Sequence, residues 1–132
     1  MSETINRNEK AAQKAALIAR LKVVLADARG EADRASEAHL TQYPRLPKEH
    51  HEFGGAVLLV RKPRPAFREA LKTLEATDRW ASVSSWKVDA GYRTPKGIGG
   101  TRELQEVAQR AAAEVMKAAF PDDDFWVHTW VD

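Results

Sequence analysis

Apolar residues at spacings of three and four run through the first third of the chain. Ile18, Leu21, Leu25, Ala28, Ala32 and Ala35 fall on one helical stripe, which Leu17 and Val24 widen on one side. Alanine is abundant and no proline occurs before Pro44, so a helix is predicted over 4–40. Gly30 is its weak point, because glycine costs about 1 kcal/mol relative to alanine inside a helix; a hinge there would split the segment in two. Unbroken, the helix is about 50 Å long at 1.5 Å per residue, which exceeds the diameter of a domain this size. Part of it is then expected to project, fray or pack on a partner. Pro44 ends it, since it disfavours a helical Tyr43 and cannot continue the hydrogen-bond ladder.

The period then changes. Ala56, Val57, Leu58, Leu59 and Val60 form a short continuous apolar run, the pattern of a buried central strand. A polar loop ending at Gly54 and Gly55 precedes it, and Pro63 and Pro65 stop it. Pro65 suits the first turn of a second helix, whose apolar face is Phe67, Ala70, Leu71 and Leu74. Residues 80–88 favour extended structure and make a second strand. Leu104, Val107, Ala108, Ala111, Ala112, Val115 and Met116 mark a third helix, with Thr101 as its N-cap and Glu103 in its first turn.

The closing segment, 125–131, alternates as a strand. Trp126, His128 and Trp130 share one face; Phe125, Val127, Thr129 and Val131 share the other. Both faces are apolar, which argues for burial on both sides, either by the long helix or by a partner subunit.

The order is α-β-α-β-α-β. The expected fold class is α+β: a long N-terminal helix followed by a small three-stranded sheet with helices packed on one face. The 132 residues suit a single domain, with a helical arm over 1–42 and an α/β core over 54–132. Alternating strands and helices also permit parallel pairing through crossovers. A sheet this narrow keeps two edges, a route to sheet extension across a dimer or onto a partner.

Composition narrows the function classes. The chain has no cysteine, which rules out disulfides, thiol catalysis and thiolate metal sites. No apolar run approaches the roughly 20 residues of a membrane span, and the first residues lack the apolar core of a signal peptide. A cytoplasmic protein without membrane contact is expected. Net charge is only +2, but it is unevenly spread: residues 61–110 carry 11 cations and 6 acids, residues 111–132 carry 1 cation and 5 acids. A basic middle can steer a charged partner.

Two basic segments lie at the junctions. Arg61, Lys62, Arg64 and Arg68 sit where the first strand meets the second helix. Arg93, Lys96 and Arg102 surround Gly97, Gly99 and Gly100 just before the third helix. A glycine-rich turn at a helix start aims backbone N–H groups and the positive end of the dipole at one spot, which is the physics of an anion site. If the two junctions share one end of the sheet they form a single patch for phosphates or nucleic acid, with Tyr92 or Trp86 available for base stacking. The turn lacks the Gly-Lys-Ser/Thr ending of a phosphate-binding loop and the three-glycine dinucleotide fingerprint. Its residues Tyr92-Arg93 and Lys96-Gly97-Ile98-Gly99 resemble the pyrophosphate-binding turn of the N-acetyltransferase family that uses acetyl-CoA. That resemblance implies Gly97 and Gly99 on the pyrophosphate and acyl-CoA N-acyltransferase chemistry.

No catalytic set emerges. Ser82, Ser84 and Ser85 lie in a strand without a nucleophile-elbow context. His50 and His51 are adjacent and point apart in an extended loop, with His39 upstream on the helix; Asp122, Asp123 and Asp124 have no further ligands at calcium-loop spacing. No metal and no cofactor is expected. The leading expectation is a non-catalytic binding protein acting by protein–protein contact, as an inhibitor, adaptor or accessory factor, and self-associating as a homodimer. Its interface would draw on Ile18, Leu21, Leu25, Trp126, His128 and Trp130, since tryptophan is enriched at binding hot spots. Nucleic-acid or phosphate-ligand binding at the basic junctions is the alternative, and the acyltransferase the third.

Overall fold

The structure, a computed structural model, describes residues 2–42, 54–78, 84–90 and 102–131. Helix α1 (Ser2–Gln42) runs unbroken through Gly30 and is about 60 Å long. Side chains 7–16 are all exposed, so its first turns stand clear of the body. The expected stripe then does the packing: Leu21, Val24, Leu25, Ala28 and Ala32 are buried, joined by Ser36, whose hydroxyl donates to the Asp33 carbonyl. Leu17 and Ile18 pack against the same core.

Strand β1 (Gly54–Arg61) begins earlier than its apolar run suggests and takes in both glycines. Helix α2 (Pro65–Thr73) follows, with Pro65 opening it and Phe67, Ala70 and Leu71 facing inward. Its end is a Schellman closure. The Glu75 N–H donates to the Lys72 carbonyl and the Ala76 N–H to the Leu71 carbonyl. Glu75 takes the left-handed position of that motif at φ 52°. Next come β2 (Thr77–Asp78), β3 (Ser85–Val88), α3 (Arg102–Ala119) and β4 (Asp124–Val131).

The sheet order is β2-β3-β1-β4, with every pair antiparallel. The architecture is α+β, as the pattern of elements indicates. No parallel pairing occurs among the described strands; β2 runs in the direction of β1, and β3 lies antiparallel between them. The expected strand over 80–88 is realised as Ser85–Val88, and residues 79–83 lie outside the described part.

Leu58 and Val60 of β1, Trp86 and Val88 of β3, and Phe125 and Val127 of β4 face the helices. Phe67 sits at the centre of that layer, edge-on to Phe120 at 5.1 Å and to Phe125 at 5.8 Å. Helix α3 lies across β1 and β4, and α1 lies on α3 and α2. Arg20 ties the layers together: its guanidinium donates to the Ala119 carbonyl at 2.6 Å and stands over the Phe120 ring. A cation at the carbonyl end of α3 complements the helix dipole.

Candidate interaction site

The outer edge of the sheet is β4. It pairs with β1 along its whole length, Gly54 opposite Val131 through Arg61 opposite Asp124, and among the described residues it has no second strand neighbour. On its far face from the helices Trp126, His128 and Trp130 form a ladder. The Trp126 and His128 rings meet edge-on at 5.8 Å, and the His128 and Trp130 rings stack at 6.1 Å. Trp130 is 39% exposed and Val131 61%. The alternation read from the sequence therefore places these three residues on one face, as expected.

Supporting residues fix the ladder. The Trp130 ring lies in the slot left by Gly55, directly opposite it on β1. A Cβ on Gly55 would come within 2.6 Å of Trp130 Cη2 and 2.9 Å of Gln105 Oε1. Gln105, from the first turns of α3, accepts the Ala56 N–H at 3.3 Å. At the other end the Arg61 guanidinium stands over the Trp126 ring at 5.7 Å, a cation–π contact. The Trp126 Nε1 is buried without an acceptor. Beneath this end, Arg110, Ala113, Glu114 and Lys117 of α3 line a gap of about 210 Å³ against Trp126 and Val127.

The other expected interface residues lie elsewhere. Leu21 and Leu25 are buried in the chain's own core and Ile18 packs on it. The face of α1 that they define is occupied by α2 and α3, so it offers no surface to a partner.

The described residues of the two basic junctions lie apart. Antiparallel pairing puts the first at the Arg61 end of β1. The described start of the second, Arg102, opens α3 at the opposite end, where Gln105 meets Ala56. The eighteen residues of α3 separate the two, about 27 Å. Arg93, Lys96, Gly97, Gly99 and Gly100 lie outside the described residues, as do Tyr92, Thr101, His50, His51 and Ser82.

Within the first cluster Arg61, Arg64 and Arg68 have partners inside the fold. Arg64 donates through Nε and Nη2 to the two carboxylate oxygens of Asp123, at 3.3 and 2.7 Å. That hydrogen bond holds its guanidinium above its ordinary pKa range, while partial burial opposes the shift. Arg68 and Lys72, one turn apart on α2, both stand over the Trp86 ring. Arg61 pairs loosely with Asp124 at 4.0 Å besides covering Trp126. Arg102 pairs with Glu106 at 3.0 Å. Lys62 is exposed, with a left-handed backbone at φ 43°. A charge count along the sequence registers these cations but not the acids that fold against them.

Gly55, Gln105 and Asp123 are the site and support residues that the sequence reading passed over. Gly55 had a legible signal, since a glycine inside a strand often marks a close approach of another group. Asp123 was hidden in a run of three aspartates, of which only the middle side chain turns inward. Among the described residues, no three His, Cys, Asp or Glu side chains converge as a metal set, and no helix is long and apolar enough to cross a membrane. No family model, curated protein or solved structure matches the chain.

Proposed function

We propose that this protein is a binding module that engages other proteins by accepting a strand at the outer edge of β4. The observation that carries the reading is the undefended character of that edge. Proteins that keep sheet edges apart use lysine, proline, bulges or inward charges, or make the edge very short. The opposite edge, β2, is two residues long. By contrast β4 has eight residues, and from Phe125 to Val131 none is proline, glycine, lysine, arginine or an acid. Its tip presents Trp130 and Val131 to solvent. An added strand would gain main-chain hydrogen bonds from the edge, with its side chains set against the tryptophan ladder above and the Arg110–Lys117 side of α3 below.

Binding of nucleic acid or a phosphorylated ligand through the basic junctions has weaker support. Arg64 and Arg68 are engaged within the fold, and Arg102 opens α3 at the other end of the sheet from them. Acyl-CoA chemistry would rest on residues outside the described part.

The edge reading is tested by affinity capture from nuclease-treated native lysate, comparing the wild type with Thr129→Pro, which removes an N–H from the strand and stiffens it. Proteins retained by the wild type and lost from a folded Thr129→Pro variant fit the proposal. A set of bound proteins identical for both refutes it.

A further inference from the structure

We infer that the strand received by β4 is β4 of a second copy, paired antiparallel about a two-fold axis at His128. The inference rests on the edge reading above and adds the identity of the partner and the register.

The register follows from parity. Residues directly opposed across an antiparallel pair point to the same face of the sheet. Two copies related by a two-fold axis through the sheet therefore meet with one residue facing itself. Centring the axis on His128 aligns Phe125 through Val131 of both strands. It sets Trp126 against Trp130 of the second copy and Phe125 against Val131 of the second copy. The two exposed apolar side chains of the edge, Trp130 and Val131, thus each land on an aromatic ring. Shifting the axis to Val127 sets Trp130 against Asp124 of the second copy instead, which leaves a carboxylate against an indole. Shifting it to Thr129 sets Val131 against Val127 of the second copy, so that only one of the two exposed side chains meets a ring.

The α3 face beside the edge carries both signs of charge and is internally paired. Arg110, Ala113, Glu114 and Lys117 stand beside Trp126 and Val127, with Arg110 bonded to Glu106 and Lys117 paired with Glu114. A second copy running the opposite way therefore meets a face on which these four charges cancel. The edge itself carries no acid, lysine or arginine from Phe125 to Val131, so little opposes the approach.

The chain has no cysteine, which makes single-cysteine variants clean reporters. Opposed Cα atoms in an antiparallel pair stand about 4.5 or 5.5 Å apart, inside the range a disulfide spans. The experiment is light scattering of the wild type and Trp130→Lys, with mild oxidation of His128→Cys and of Val23→Cys, an exposed position on α1. Circular dichroism checks that each variant is folded. The expected result is a dimeric wild type, at least a tenfold weaker dimer for Trp130→Lys, and cross-linking of His128→Cys at least tenfold faster than of Val23→Cys. A wild type that stays monomeric at high concentration overturns the self-pairing while leaving the edge reading to the capture experiment. A dimer that is indifferent to Trp130→Lys, or in which the two cysteines cross-link at equal rates, overturns it as well.

Discussion

Substituting Gly55 by alanine probes how the tryptophan ladder is held. The new Cβ would fall within 2.6 Å of Trp130 Cη2, so the indole has to retreat by most of an ångström or swing away. Trp130 is 39% exposed, which leaves roughly 150 Å² of its surface covered. At about 25 cal/mol per Å² that cover is worth at most about 4 kcal/mol. Partial retreat forfeits a fraction of it, and replacing a strand glycine returns about 0.5–1 kcal/mol of chain entropy. The expected net loss is about 1–2 kcal/mol. The argument makes a sharper claim about coupling. With Trp130→Ala in the background the ring is gone and only the end of the flexible Gln105 side chain, at 2.9 Å, has to shift, so Gly55→Ala becomes neutral or stabilising by up to about 0.5 kcal/mol. A double-mutant cycle should therefore give an interaction energy of about 2 kcal/mol. Urea denaturation followed by circular dichroism measures all four proteins, diluted until each is monomeric so that association does not enter the stability. Equal effects of Gly55→Ala in both backgrounds would show that the slot does not hold the ring.

Removing either member of the Arg64–Asp123 pair should have unequal cost. Arg64→Ala strands a carboxylate whose side chain is 2% exposed and should cost about 2–3 kcal/mol. Asp123→Ala leaves a guanidinium that is 55% exposed and should cost about 1 kcal/mol; equal losses in denaturant titration would contradict this. Glu75→Gly should stabilise by about 0.5–1 kcal/mol, because glycine takes the left-handed closure of α2 without the Cβ penalty; a lower melting temperature would refute it. Gly30→Ala should stabilise by a similar amount, since α1 is continuous and the added Cβ meets only the Arg34 side chain at 3.5 Å. Phe67→Ala should cost about 3–5 kcal/mol, as the ring is fully buried between Phe120 and Phe125; a loss under 1 kcal/mol would mean the core closes over the gap.

Elements whose stabilisation is local were legible in the chain. The stripe from Leu21 to Ala32 specifies which side of α1 is buried because a helix fixes side-chain direction by spacing alone. The alternation from Phe125 to Val131 specifies two faces in the same way. What spacing does not encode is which elements lie side by side. Thr77 and Asp78 look like the tail of a helix, yet as β2 they pair antiparallel with β3 and form one edge of the sheet. The cations at 61–68 look like a surface patch because their partners, Asp123 and Trp86, are distant in sequence. Gly54 and Gly55 look like loop residues because the approaching ring comes from Trp130, on a strand more than seventy positions later. The candidate edge was visible as an aromatic strand, and its place at the rim of the sheet was not.

The central position of β1 has a consequence for how the protein is made. Its neighbours arrive late, β3 after an intervening helix and β4 only at the far end of the described chain. During synthesis the run Ala56-Val57-Leu58-Leu59-Val60 leaves the ribosome long before Phe125 to Val131 exist to pair with it. For that interval an apolar strand with an open flank is available to any other nascent chain, the condition under which strands aggregate. The pairing between β1 and β4 spans nearly the whole domain, and contacts of such long sequence separation form slowly. A refolding yield that falls as protein concentration rises is the expected outcome. The residues that close the fold are the same ones that offer its outer edge.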